Sequence, residues 1–228
     1  MSESQPEAES KPASEKRHKA SAVEQRPQTP AQAWAALQAG NDRFVSGHPA
    51  HPNQSVEYRG ELVGGQAPFA TFFGCADSRV AAEVIFDQGL GDLFVVRTAG
   101  HVLGATALGS LEFGAVVLNI PLIVVLGHDS CGAVKAAMSA HETGTMPPGF
   151  MRELVERVTP SVMAAYRAGS SRPDEVEAEH VRHTVKLISE RSQLLAQRIA
   201  SGHVGIVGLT YALAEGRARK VASIGDVE

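Results

Sequence analysis

The sequence predicts an α/β fold: a mostly parallel β-sheet flanked by α-helices. Three observations predict it. Four short apolar runs, at 69–73, 93–96, 122–126 and 204–209, are β-branched or aromatic and continuous rather than alternating, as strands buried on both faces are. Segments of helical periodicity separate them, the pattern of strands joined by crossover helices. Finally, 228 residues that are 43% apolar suit one sizeable domain.

The elements follow in chain order. Residues 1–30 hold Pro6, Pro12, Pro27 and Pro30 with five acidic and five basic residues. That composition cannot offset its ordering entropy by burial, so a disordered tail is expected, with the domain occupying 31–228. Thr29-Pro30 reads as a helix N-cap followed by proline at the first helical position. The helix then runs over 31–45, with Trp34, Leu37 and Phe44 forming an apolar stripe that needs a cover. Residues 46–68 are rich in Gly, Pro, His and Asn and read as loop, with a short helix at 56–63. Beyond the first strand, helices are expected at 81–88, 105–117 and 131–140. The long stretch 151–200 carries Leu154, Val158, Val162, Val181, Val185, Ile188, Leu195 and Ile199 on buried faces. Pro160, Gly169 and Pro173 should divide it into at least two packing helices.

Composition excludes several functions. A net charge of −4 argues against a nucleic-acid binder. The longest apolar stretch, 113–127, is interrupted by Asn119 and Pro121 and falls short of a membrane span. Neither a membrane partner nor an export signal is expected, which points to a cytoplasmic protein. Two cysteines cannot build a disulfide framework. They remain as core thiols, a nucleophile or metal ligands.

Their positions favour ligands. Cys75 follows the first strand in Cys75-Ala-Asp77-Ser-Arg79, and Cys131 follows the third in His128-Asp-Ser-Cys131. In a parallel sheet, sites form beyond the carboxyl ends of the strands. His128 and Cys131, three apart where a strand passes into a helix, can converge on one ion. A helix N-terminus also favours thiolate at Cys131. Thiolate with imidazole suits zinc. Three ligands plus one replaceable position, with Asp77 as a fourth ligand or as an acceptor held off the metal by Arg79, is the catalytic rather than the structural pattern. No Cys-x-x-Cys pair, phosphate loop, Gly-x-Gly-x-x-Gly or Gly-x-Ser-x-Gly motif competes. Of the other histidines, His48, His51, His141, His180, His183 and His203 read as surface residues. His101 reads as surface or hydrogen-bonded, with proton relay as the functional alternative.

Cys75-Ala-Asp-Ser-Arg79, Phe94-Val-Val-Arg97-Thr-Ala-Gly100 and Gly127-His128-Asp-Ser-Cys131-Gly132 together resemble the β-class carbonic anhydrases. The similarity extends over about 31–216 and is greatest to actinobacterial members. It implies one zinc ion bound by Cys75, His128 and Cys131, and an Asp77–Arg79 dyad in which Asp77 ligates zinc or yields to water. The implied reaction is zinc-hydroxide-mediated, reversible hydration of carbon dioxide to bicarbonate and a proton. Substrate contacts are implied for Gln66, Phe94, Gly100, Phe113 and Gly132. An antiparallel edge strand is implied as well. So is a homodimer or homotetramer in which the N-terminal helix clasps a partner and so covers its Trp34 stripe. Arg97 and Tyr211 match two positions of an allosteric bicarbonate site found in one branch, but Phe72 stands in place of its Trp, so such regulation is expected to be weak or absent. Hydrolysis of carbonyl sulfide or carbon disulfide on the same fold, and a non-catalytic zinc- or bicarbonate-binding regulator, are the alternatives.

Overall fold

The computed structural model describes residues 26–228; the greater part of the expected tail, 1–25, lies outside the described residues. Arg26 lies against the domain, donating to the Gly91 carbonyl at 3.1 Å and the Tyr58 hydroxyl at 2.6 Å.

Helix α1 spans Pro30–Val45, opened by the Thr29 side chain, which accepts from the Gln32 amide. Its stripe of Ala33, Trp34, Leu37, Gly40 and Asn41 is buried at the three- and four-residue spacing of one helix face. Trp34 and Leu37 pack into a cluster with Phe69, Phe72, Phe86 and Leu122 of the same chain. The stripe is covered by the protein's own sheet, because the helix docks directly onto the strands. Gly40 permits that docking: a Cβ there would fall 1.8 Å from the Phe86 carbonyl oxygen. Asn41 bridges the contact, donating to the Ile85 and Gly216 carbonyls and accepting from the Ala218 amide.

The sheet has five strands: β1 Ala70–Cys75, β2 Leu93–Thr98, β3 Leu122–His128, β4 Gly205–Ala212 and β5 Arg217–Ile224. Their order is β2-β1-β3-β4-β5. The first four run parallel and β5 is antiparallel to β4, with a bulge beside Gly208. The central strands β1 and β3 are buried along their whole length, which explains their continuous apolar runs. β5 is half-buried and carries polar residues, so periodicity alone offers little signal for it.

The connections are helices α2 (Val56–Glu61), α3 (Ala82–Ile85), α4 (Ala105–Glu112), α5 (Gly132–Thr143), α6 (Met151–Arg167), α7 (Pro173–Arg191) and α8 (Gln193–Ala200). The face opposite α1 is filled by Phe73, Leu111, Ile123, Val125, Val181, Val185 and Ile188. Each such fully buried side chain contributes about 1.5–3 kcal/mol of burial. A third cluster, at the carboxyl ends of β1 and β3, joins Cys75 and Cys131 to Val102, Val134, Val158 and Val162.

Two helical expectations are corrected. The segment 105–117 is not one uniform helix: α4 widens over Phe113–Val117 into a π-turn, where the Leu118 amide reaches back to the Phe113 carbonyl. Pro160 does not break its helix either. It lies within α6 on the exposed face, where solvent serves the carbonyl that its missing N–H leaves unpaired. The breaks fall at Gly169, with φ +87, just before Pro173, the first residue of α7, and again at Ser192 between α7 and α8. Among the described residues, no helix is long and apolar enough to cross a membrane.

Candidate metal centre

Cys75 is the last residue of β1 and His128 the last of β3, adjacent strands whose ends open at the same edge of the sheet. After His128 the chain reverses sharply. The Asp129 amide donates to the Tyr211 carbonyl of β4, and Ser130 adopts a left-handed conformation with φ +57, a strained state for a non-glycine residue. That reversal brings Cys131 back toward His128 as the N-cap of α5, one position ahead of the expected first turn. The ligand atoms of Cys75, His128 and Cys131 all lie within 4.8 Å of one another, and all three residues are buried.

The arrangement suits a metal ion. His128 Nδ1 pairs with the Asp129 carbonyl at 2.8 Å, which places the ring proton on Nδ1. Nε2 is left as a bare acceptor, buried and without a protein partner. Such an orphan is costly unless something fills it. A buried donor set of two sulfurs and one imidazole nitrogen matches zinc. The sulfurs share a proton. The Cys75 thiol is pushed down to about 4, chiefly by the hydrogen bond from Cys131 and also by His128 and the Asp77 and Gly100 amides, while Cys131 is pushed up by holding that proton. His128 is raised: burial opposes its charge, but Cys75 beside it more than compensates.

Asp77 and Arg79 meet through a turn. The Arg79 amide and Nε both reach Asp77 Oδ1 at 2.9 Å, and Nη2 reaches Oδ2 at 2.7 Å. This is an Asx turn closed by a bidentate ion pair. It holds the Asp77 carboxyl well below the usual carboxylate range. Asp77 Oδ2 stands 3.9 Å from His128 Nε2, at the mouth of the cluster. Arg97, on β2, donates to the Cys75 carbonyl at 3.0 and 2.8 Å and to the Asp77 carbonyl at 2.6 Å. Its guanidinium therefore clamps the backbone that carries a ligand and the dyad.

The remaining sequence-predicted site residues fall in three places. Gly100, with φ +62, lies beneath the cluster and its N–H points to Cys75 Sγ at 3.3 Å. Gly132 is exposed at the start of α5. Phe94 and Phe113 contact each other, ring centroids 6.1 Å apart, beside the outer strand β2. Gln66 lies in the exposed loop before β1, with no hydrogen bond to the cluster.

A family model described as carbonic anhydrase matches residues 70–218. The chain is 58% identical over 198 residues to carbonic anhydrase 2 of Mycobacterium tuberculosis, covering 87% of this chain and 96% of that protein. This chain belongs to the β-class carbonic anhydrase family. It is likewise 57% identical over 198 residues to a carbonic anhydrase of Mycolicibacterium smegmatis, with coverage of 87% and 96%. Among solved structures, a tetrameric β-carbonic anhydrase from Sordaria macrospora superposes with a TM-score of 0.68 at 20% identity, covering 82% of this chain and 96% of that one. The Coccomyxa β-carbonic anhydrase in complex with acetazolamide gives 0.67 at 25% identity, covering 82% and 86%.

Within this carbonic anhydrase, sequence reasoning missed the wall behind the cluster. His180, expected at the surface, is 3% exposed, and His101 is fully buried. Their rings stack with centroids 4.3 Å apart. His101 is not a surface residue, and its ring nitrogens make no hydrogen bond; Nδ1 lies 3.8 Å from Glu177 Oε1. Burial lowers both histidines, His180 to about 4. Glu177 is 2% exposed, and burial raises its carboxyl to about 8. The overlooked signal was that Glu177, His180 and Thr184 share the stripe of Val181, Val185 and Ile188 on α7.

Proposed function

We propose that this chain catalyses reversible hydration of carbon dioxide to bicarbonate and a proton, as a carbonate dehydratase of the lyase class, at a zinc ion held by Cys75, His128 and Cys131. The observation that carries this reading is the buried convergence of those three ligand atoms within 4.8 Å, with the Asp77–Arg79 pair at its mouth. When bound, zinc supplies the Lewis acidity that makes water nucleophilic near neutral pH.

The chain's own residues do the rest. Cys75 is fixed by the Gly100 amide at its sulfur and by Arg97 at its carbonyl. Asp77, kept ionised by Arg79, accepts a hydrogen bond from the nucleophilic water and aims its lone pair. The same carboxylate, 3.9 Å from His128 Nε2, is the candidate fourth metal ligand, and its grip by Arg79 favours the hydrogen-bonding role. Phe94 and Phe113 offer an apolar surface suited to an uncharged substrate, while Gln66 and Gly132, both exposed, are the candidates for polar contacts; Gly100 acts through its N–H to Cys75. Arg97 spends its donors on backbone carbonyls and Tyr211 is buried in the core, which supports weak or absent regulation by bicarbonate. Bicarbonate inhibition that vanishes in Tyr211→Phe would overturn that statement.

The working form is a homodimer or homotetramer. Among the described residues the outer side of β2 has no strand partner, and Phe113, Val116 and Val117 are exposed beside it. Two cysteines that must stay reduced favour a cytoplasmic location. The test is stopped-flow hydration of carbon dioxide across pH, with zinc content measured on the same samples. Turnover proportional to zinc is expected. A zinc-replete protein that hydrates carbonyl sulfide or carbon disulfide but not carbon dioxide would refute the proposal.

A further inference from the structure

Helix α7 passes behind the ligands and turns two polar side chains toward them, Glu177 and His180, one turn apart on its buried face. Glu177 Oε1 accepts from the His128 backbone N–H at 3.1 Å. Gly127 permits that approach, since a Cβ there would fall 2.3 Å from the same oxygen. His180 Nε2 donates to the Gly100 carbonyl at 2.9 Å, and Nδ1 accepts from the Ser161 hydroxyl at 3.0 Å. The Gly100 N–H in turn ends on Cys75 Sγ. Two of the three ligands are thus held through backbone groups that α7 grips.

Packing alone does not account for these side chains. Burying a carboxyl and an imidazole costs desolvation that leucine or phenylalanine would avoid. Each of the two instead spends a hydrogen bond on the backbone next to, or one bond removed from, a ligand. We propose that Glu177 and His180 are positioning residues of the metal centre, fixing His128 through its amide and Cys75 through Gly100. This rests on the reading of Cys75, His128 and Cys131 as zinc ligands.

The test measures zinc affinity by chelator competition on the full chain, and the sulfur-to-metal charge-transfer absorption of the cobalt-loaded protein. His180→Phe keeps the ring shape and removes the donor to Gly100. It should weaken zinc binding about 10–100-fold, the usual cost of losing such a partner, and shift the cobalt absorption as Cys75 loses its aligned N–H. His180→Gln restores a donor near the Nε2 position and should bind within about threefold of wild type. A folded His180→Phe variant with wild-type zinc affinity and an unchanged cobalt spectrum would overturn the proposal, as would a Gln variant no better than Phe. Should His180→Phe fail to fold, Ser161→Ala decides. It leaves the ring in place but frees its tautomer, so weaker zinc binding with the same spectral shift supports the proposal, and wild-type behaviour overturns it. Cys131→Ala separates the two levels. If it binds zinc as wild type does, the zinc-centre reading itself fails. If it loses zinc while His180→Phe does not, only the positioning role fails.

Discussion

Replacing Gly100 with alanine perturbs the ligand cluster and the fold at one defined point. The residue has φ +62, and an added Cβ would sit 2.6 Å from the Cβ of Ala133. The left-handed conformation costs a non-glycine residue about 1–2 kcal/mol. Overpacking against α5 adds about 1–3 kcal/mol, so the loss should be about 2–5 kcal/mol. For a domain of this size that corresponds to a fall in melting temperature of about 4–20 °C. If the backbone relieves the clash by moving, the Gly100 N–H leaves Cys75 Sγ and zinc affinity falls with stability. Urea unfolding and chelator competition on the same protein read both effects. Gly109→Ala is the control. It lies exposed in α4 with nothing within 4 Å of an added Cβ, and should gain about 0.5–1 kcal/mol from helix propensity. A Gly100→Ala protein that unfolds at the wild-type urea concentration and binds zinc as tightly would refute the reasoning.

Other outcomes follow from the same geometry. Cys131→Ala should lose zinc and carbon dioxide hydration together, measured by metal analysis and stopped flow; retention of both would remove Cys131 from the ligand set. Asp77→Asn keeps all three zinc ligands and should keep zinc while turnover falls about 100-fold or more; full turnover would end the role given to the dyad. The Asp77 carboxyl is depressed by Arg79, so its contribution to stability is present above the unfolded pKa of about 4 and is lost as pH falls below it. Arg79→Leu should therefore flatten the acid limb of urea midpoint against pH below about pH 4, and an unchanged limb would contradict the pairing. Asn41→Ala strands the Ile85 and Gly216 carbonyls and the Ala218 amide and should cost about 1–3 kcal/mol in equilibrium unfolding.

What the sequence made legible follows burial. β1 and β3 are enclosed on both faces, and their unbroken apolar runs announced them. β5 was expected through the family resemblance alone, because an edge strand half in solvent has no need of such a run. The cluster of Cys75, His128 and Cys131 was legible because Cys75 and His128 end adjacent strands and Cys131 follows three residues later, and the Thr29 cap because capping chemistry is local. The Asp77–Arg79 pair was legible as a partnership, but the turn that forms it was not, since an Asx turn and an extended segment both place the two side chains together. The wall behind the metal centre was hidden for a different reason. The burial of Glu177 and His180 could be read from the stripe they share with Val181, Val185 and Ile188, but their partners Gly100 and His128 stand 80 and 49 residues away, and no local pattern encodes a tertiary contact of that range. The same distance hid the docking of Trp34 onto the chain's own sheet.

The metal centre is also divided along the order of synthesis. Cys75, His128 and Cys131 all leave the ribosome before Ser161, Glu177 and His180, and before β4, whose Tyr211 pairs with His128. A nascent chain that ends in the exposed residues after α5 holds the complete donor set but lacks the backing that orders it. Zinc captured at that stage would be held by a loose chelate, and its grip would mature only when the segment after α5 docks. The segment after α5 would thereby govern how firmly the residues before it retain the ion.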